Sequence, residues 1–171
     1  WPDLQTRITV WVSPEDDVEF RRVELLNCGD TALEIELISA FEPTLSEARA
    51  DEAHPAFANL FAIARGDARQ QALWFERRPR LAGEASVHAV HFLAHSTPAS
   101  SELRCQVDRQ RWLGRNRAPW APLGALQPLC DSADTLPALD TGLDPICVLA
   151  TRLSIAPGAA ASLCFATAAA G

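Results

Sequence analysis

Short stretches of alternating side chains, separated by turn signals, constrain this 171-residue chain more than any other feature. In RITVWV (7–12), Ile8, Val10 and Val12 fall on one side and Thr9 and Trp11 on the other. In VEFRRVELL (18–26), Val18, Phe20 and Arg22 oppose Glu19, Arg21, Val23 and Leu25, an imperfect but recognisable alternation. In ALEIELISAFE (32–42), Leu33, Ile35, Leu37 and Ser39 oppose Glu34, Glu36 and Ile38. A period of two is the signature of strands with one buried face. NCGD (27–30) supplies the residues of a tight turn, which predicts that 18–26 and 32–42 form a hairpin.

Further along, ALWFERR (72–78), SVHAVHFLA (86–94) and ELRCQVD (102–108) have strand composition. ICVLATRLSI (146–155), Pro157-Gly158 and AASLCFATA (160–168) read as a closing hairpin. Residues 43–53 read as a loop. HPAFANLFAIA (54–64) places Phe57, Leu60, Phe61 and Ala64 at helical spacing behind Pro55, which predicts a short helical turn near 54–62 that runs into a strand. Residues 114–145, rich in Pro, Gly, Asp and Ala, read as a long irregular excursion. The expectation is one all-β domain, an antiparallel β-sandwich over 1–168, with 169–171 starting a linker. A chain of this length buries roughly 70% of its unfolded surface, enough for a core.

Several function classes fit poorly. The charge is −7, with 22 acidic residues against 15 arginines and no lysine, which disfavours nonspecific nucleic-acid binding. No apolar run reaches the length of a membrane-spanning helix, and WPDLQTR lacks the basic and apolar regions of a signal peptide. Met is absent throughout, position 1 included, so the chain reads as a piece of something longer. Neither a Gly-rich phosphate loop nor a GxSxG nucleophile motif occurs. Cys28, Cys105, Cys130, Cys147 and Cys164 are unpaired in spacing. They read as reduced thiols in or near the core rather than zinc ligands, and favour a reducing compartment. His88, His91 and His95 would share a helix face, but in a strand His88 points away from His91 and His95, so no metal is expected. No cofactor is expected either. None of the carboxylates is singled out for glycoside chemistry.

Two segments could carry function. In DEAHPAF (51–57), Asp51 and His54 are either a ligand-contacting or acid–base pair or helix caps ahead of Pro55, and spacing favours caps. In LRCQVDRQRWLGRNRAPW (103–120), Arg104, Arg109, Arg111, Arg115 and Arg117 accompany Trp112 and Trp120. Forked guanidinium donors and indole faces suit a polyhydroxylated or phosphorylated ligand. The plainer alternative is arginines paired with the acidic excess and Trp112 in the core.

Taken in order, TVWVSPEDDVEFRRVELLNCGD (9–30), DEAHPAFANLF (51–61), DRQRWLGRNR (108–117), GLDPI (142–146) and APG (156–158) resemble the β-sandwich region of glycoside hydrolase family 94, formerly glycosyltransferase family 36. The cyclic β-1,2-glucan synthase branch is the most similar in flavour, and the resemblance spans nearly the whole chain. It implies a supersandwich of galactose-mutarotase-like type. It also implies a parent that is either a very large inner-membrane synthase or a smaller β-1,2-oligoglucan phosphorylase, with this region on the cytoplasmic side. The implied general acid is an Asp on a following α/α barrel, so no catalytic residue carries over. The implied partners are that barrel and a β-glucan oligosaccharide, with or without phosphate. The 108–117 motif, with Arg109, Arg111, Trp112, Arg115 and Arg117, is implied to support the active site from the sandwich side, and Asp51 and His54 are further candidates. The family pattern has additional strands ahead of the segment matching Thr9, which leads to an expectation of open edge strands and a homodimer. Three readings result: an accessory domain, an independent carbohydrate-binding module using Trp112 or Trp120, and a structural or dimerisation domain.

Overall fold

The computed structural model describes residues 1–97, 102–118, 121–129 and 138–171. It is built from two antiparallel sheets. The larger contains β1 (Leu4–Val12), β2 (Val18–Asn27), β4 (Ala62–Asp67), β5 (Ala72–Arg77), β6 (Val87–Thr97), β9 (Ala138–Leu139) and β11 (Ala160–Ala170). Its order is β1-β2-β11-β6-β5-β4-β9. The smaller contains β3 (Leu33–Phe41), β7 (Arg104–Asp108), β8 (Gln127–Pro128) and β10 (Pro145–Ile155), in the order β3-β10-β7-β8. The all-β sandwich expectation holds. β11 runs two residues into the stretch 169–171 read as the start of a linker, pairing Ala169 with Ala89 and Ala170 with His88.

Two expected hairpins are instead crossings between the sheets. β2 and β3 lie in different sheets, as do β10 and β11. The reason is visible in the side chains. Val23 and Leu25 on β2, and Leu33, Ile35 and Leu37 on β3, all belong to the same apolar core. A flat hairpin would spread both rows over one face, whereas folding one strand over the other lets the rows cover each other. Asn27, fully buried, ties the two crossings together. Its Nδ2 donates to the carbonyls of Thr31 (2.8 Å) and Ile155 (2.9 Å), and its Oδ1 accepts from the Gly29 amide. Its own amide donates to Ala159 and its carbonyl accepts from Gly158.

The segment read as a loop over 43–53 contains a helix, α1 (Ala48–Ala53). Its Ala-rich sequence has high intrinsic helix propensity, which outweighs its polarity. α2 (Pro55–Asn59) follows and leads into β4, as expected. Among the described residues no helix is long and apolar enough to cross a membrane.

The histidines separate differently from the alternation. A bulge in β6 opposite Cys164 and Phe165 leaves Ala94 without a register partner. The extra residue reverses the facing of the side chains beyond it. His91 is therefore buried and His95 is exposed, so these two do not share a face. His91 stacks on Phe165 and meets Phe41 edge-on, with Nδ1 2.9 Å from Thr167 Oγ1. Burial, helped by the Arg21 charge, lowers its pKa to about 4. Cys105, Cys147 and Cys164 are buried free thiols and Cys28 is exposed, while Cys130 lies outside the described residues. Burial pushes the Cys147 thiol well up, with Cys105 adding to the shift.

The larger sheet overhangs the smaller. β1 pairs with β2 so that Ile8 faces the same way as Val23, Val10 as Arg21 and Val12 as Glu19. This is the core side, yet β3, which ends the smaller sheet, does not cover it. Ile8, Val10 and Val12 are 63%, 53% and 65% exposed.

Candidate functional site

The arginine-rich segment forms a rigid corner where β7 turns into α3 (Arg109–Leu113). Asp108 ends the strand in an extended conformation and caps the helix, accepting from the amides of Gln110 (2.8 Å) and Arg111 (3.2 Å). This satisfies two of the donors a helix start leaves open. Asp108 is itself buried. The Gln106 side chain braces the approach, accepting from the amides of Val107 and Asp108 and donating to Ala125.

The GLDPI segment closes over this corner. Gly142 has φ +59°, and a Cβ there would lie 2.5 Å from Asp108 Oδ2. Glycine is thus required both by its backbone conformation and by the carboxylate against it. The Arg109 amide donates to the Asp144 carbonyl, and Pro145 pairs with Asp108. At the far end, Gly114 (φ +74°) stops the helix and its amide donates to Gln110. Trp112 is 4% exposed and packs with Ile146 and Val148, with Leu113 and Leu126 alongside. Its carbonyl accepts from Gly124.

The five arginines divide into two groups. Arg104 pairs with Glu36. Arg109 pairs with Glu42 (2.5 Å) and Asp144 (3.5 Å), and the Glu42 hydrogen bond raises its pKa further. Arg111 pairs with Asp108 (3.3 Å) and Asp140 (3.1 Å). These three arginines are thus paired with acids of the domain itself, and Trp112 is core. Arg115 and Arg117 differ. They follow Gly114 and flank Asn116, whose φ is +59°, and both are exposed. Among the described residues neither has a carboxylate within ion-pair distance. A groove of about 390 Å³ lined by Arg109, Gln110, Leu113, Gly114 and Arg115 lies beside them.

Trp112 cannot serve as a sugar platform, because its ring is core, and Trp120 lies outside the described residues. Asp51 and His54 sit on the α1–α2 segment. Among the described residues no hydrogen bond or ion pair joins either side chain to α3 or to 114–118. Neither side chain caps a helix: His54 occupies the cap position of α2 and serves it through its carbonyl, which accepts from Phe57 and Ala58. Among the described residues no group of three or more His, Cys, Asp or Glu is placed to hold a metal.

The sequence over residues 1–171 matches the family described as glycosyl hydrolase 94, supersandwich domain. The chain belongs to this family. The supersandwich domain is also similar to the cyclic beta-(1,2)-glucan synthase NdvB of Rhizobium meliloti (strain 1021), at 31% identity over 169 residues. That match covers 98% of the chain and 6% of the relative, so the supersandwich domain spans a small part of the relative's length. Within the domain, DRQRWLGRNR and GLDPI are one structural unit: Asp108 and Gly142 touch, and Arg109 and Asp144 pair.

Proposed function

We propose that this chain is a non-catalytic accessory domain of a glucan-processing enzyme of the cyclic β-1,2-glucan synthase or β-1,2-oligoglucan phosphorylase type. It supports the active site, or the carbohydrate binding, of a following α/α barrel on the cytoplasmic side. The observation that carries this reading is the division of the arginine cluster. Arg104, Arg109 and Arg111 are held by acids within the domain, while Arg115 and Arg117 project from a capped, glycine-stopped corner with no acid beside them among the described residues. Two such guanidinium groups on a net-acidic domain are suited to an acidic surface of a neighbouring domain, or to phosphate and hydroxyl groups at its active site.

The test is to mix the domain with the separately produced barrel and follow association as salt is raised. The expected result is association that weakens with salt and with Arg115→Ala plus Arg117→Ala. Association indifferent to both would remove the arginines from the contact.

A second reading, a packing or dimerisation domain, is favoured by the uncovered Ile8, Val10 and Val12 row. The two readings use different segments, β1 and the 115–117 corner, and are compatible.

A further inference from the structure

The outward face of the larger sheet carries a second polar constellation, centred on β4, β5 and β6. A cleft of about 190 Å³ is lined by Ile63, Arg65, Trp74, Glu76 and His88, with Phe75 beneath. The register explains why these meet. Leu73 and Phe75 point into the core, so Trp74 and Glu76 point out. Arg65 pairs across with Trp74, while Ile63 and His88 flank Glu76. Two adjacent cross-strand rows thus place one indole between a guanidinium, a carboxylate and an imidazole.

The chemistry of that set is selective. A partly exposed indole offers a flat apolar face for the C–H side of a pyranose ring. Around it, Arg65 donates, Glu76 accepts, and His88 does either, which suits hydroxyls that both donate and accept. One cation and one anion give no net attraction for phosphate. The neighbouring surface extends the site. Val90 and Phe92 pair with Ala168 and Ala166 on β11, and Ala166 pairs with Phe20. Phe20 in turn stacks on Trp11, with ring centroids 5.2 Å apart. Ala166 and Ala168 on β11 therefore lie between Val90 and Phe92 on β6 and the Phe20–Trp11 pair on β2 and β1. From β5 to β1 is roughly 19 Å at the usual strand spacing, the length of a short oligosaccharide.

We propose that this face binds a β-1,2-linked gluco-oligosaccharide, seated on Trp74 and held by Glu76, Arg65 and His88. The ligand class rests on the accessory-domain reading above, whereas the location rests on the register and the cleft. The test is calorimetric titration of the chain with linear β-1,2-gluco-oligosaccharides, with the β-1,4 series as control. Saturable heat is expected from the β-1,2 series, weakened about tenfold or more by Trp74→Ala and by Glu76→Gln. Glu76→Gln is isosteric at a half-buried position on the sheet surface and is expected to leave the melting temperature unchanged, which keeps the test valid should Trp74→Ala fold poorly. Arg115→Ala with Arg117→Ala should bind sugar like the parent chain. Equal affinity in wild type and Glu76→Gln, heat from the β-1,4 series alone, or no saturable heat at all would overturn the proposal. A failure of this site with slowed turnover in the Arg115 and Arg117 variant would leave the accessory reading standing.

Discussion

His91 shows how a single residue sets a pH limit on the fold. Its folded pKa is about 4, against an ordinary value of 6.5, because the ring is 1% exposed and packed between Phe41 and Phe165. As pH falls below 6.5, the unfolded chain takes up the proton first. The contribution to stability is complete above that value and is lost progressively down to about pH 4, by about 3 kcal/mol in all. Denaturant midpoints measured across this range should show the loss, and His91→Gln should flatten the slope. An unchanged slope would mean that other groups set the acid limit. Asn27 sets a second limit. Its carboxamide serves the Thr31 and Ile155 carbonyls and the Gly29 amide at once, so Asn27→Ala strands buried groups from both crossings. A cost of about 2–3 kcal/mol is expected in urea unfolding.

At the scale of elements, β7–α3 and the 142–145 segment form one unit. Gly142→Ala would drive a Cβ into the Asp108 carboxylate and force a left-handed backbone on alanine. Trp112→Ala would open a cavity against Ile146 and Val148 and cost about 3–5 kcal/mol. Both should lower the melting temperature far more than Arg115→Ala, whose exposed side chain forms no ion pair among the described residues. Of this unit, the strand over 102–108 was legible in the sequence, whereas the helix Arg109–Leu113 was not. The alternating rows on β1, β2 and β3 announced strands, and the arginine-rich segment announced itself by composition. What was not legible is which rows face each other. NCGD and Pro157-Gly158 are turn signals for a hairpin and for a crossing alike. Only the apolar rows on both flanking strands, together with a buried Asn27, decide for the crossing. The bulge at Ala94 is equally silent in the sequence, so His95 emerged on the opposite face from His91. The pairing of Arg109 with Glu42, and of Arg111 with Asp140, depends on contacts far apart in the chain that local spacing does not encode. The outward row of Trp74, Glu76 and His88 was missed, although the 72–78 and 86–94 alternation contained it once the inward residues were known.

For the whole molecule, the uneven sheets are the main physical consequence. Among the described residues β1 is an edge strand, with three exposed β-branched residues on its core-side face. Such an edge invites further pairing. The isolated chain is expected to self-associate, with a light-scattering mass above one chain at high concentration, and Val10→Lys should return it to one chain. A single-chain mass for the unaltered protein would show that the overhang is tolerated in water. The central claim is that the Arg115–Arg117 corner serves a catalytic domain elsewhere in the same protein. It is tested most directly by glucan turnover in the full-length parent carrying Arg115→Ala and Arg117→Ala, assayed beside a melting curve. The account predicts slowed turnover with an unchanged melt, and wild-type turnover in that variant would contradict it.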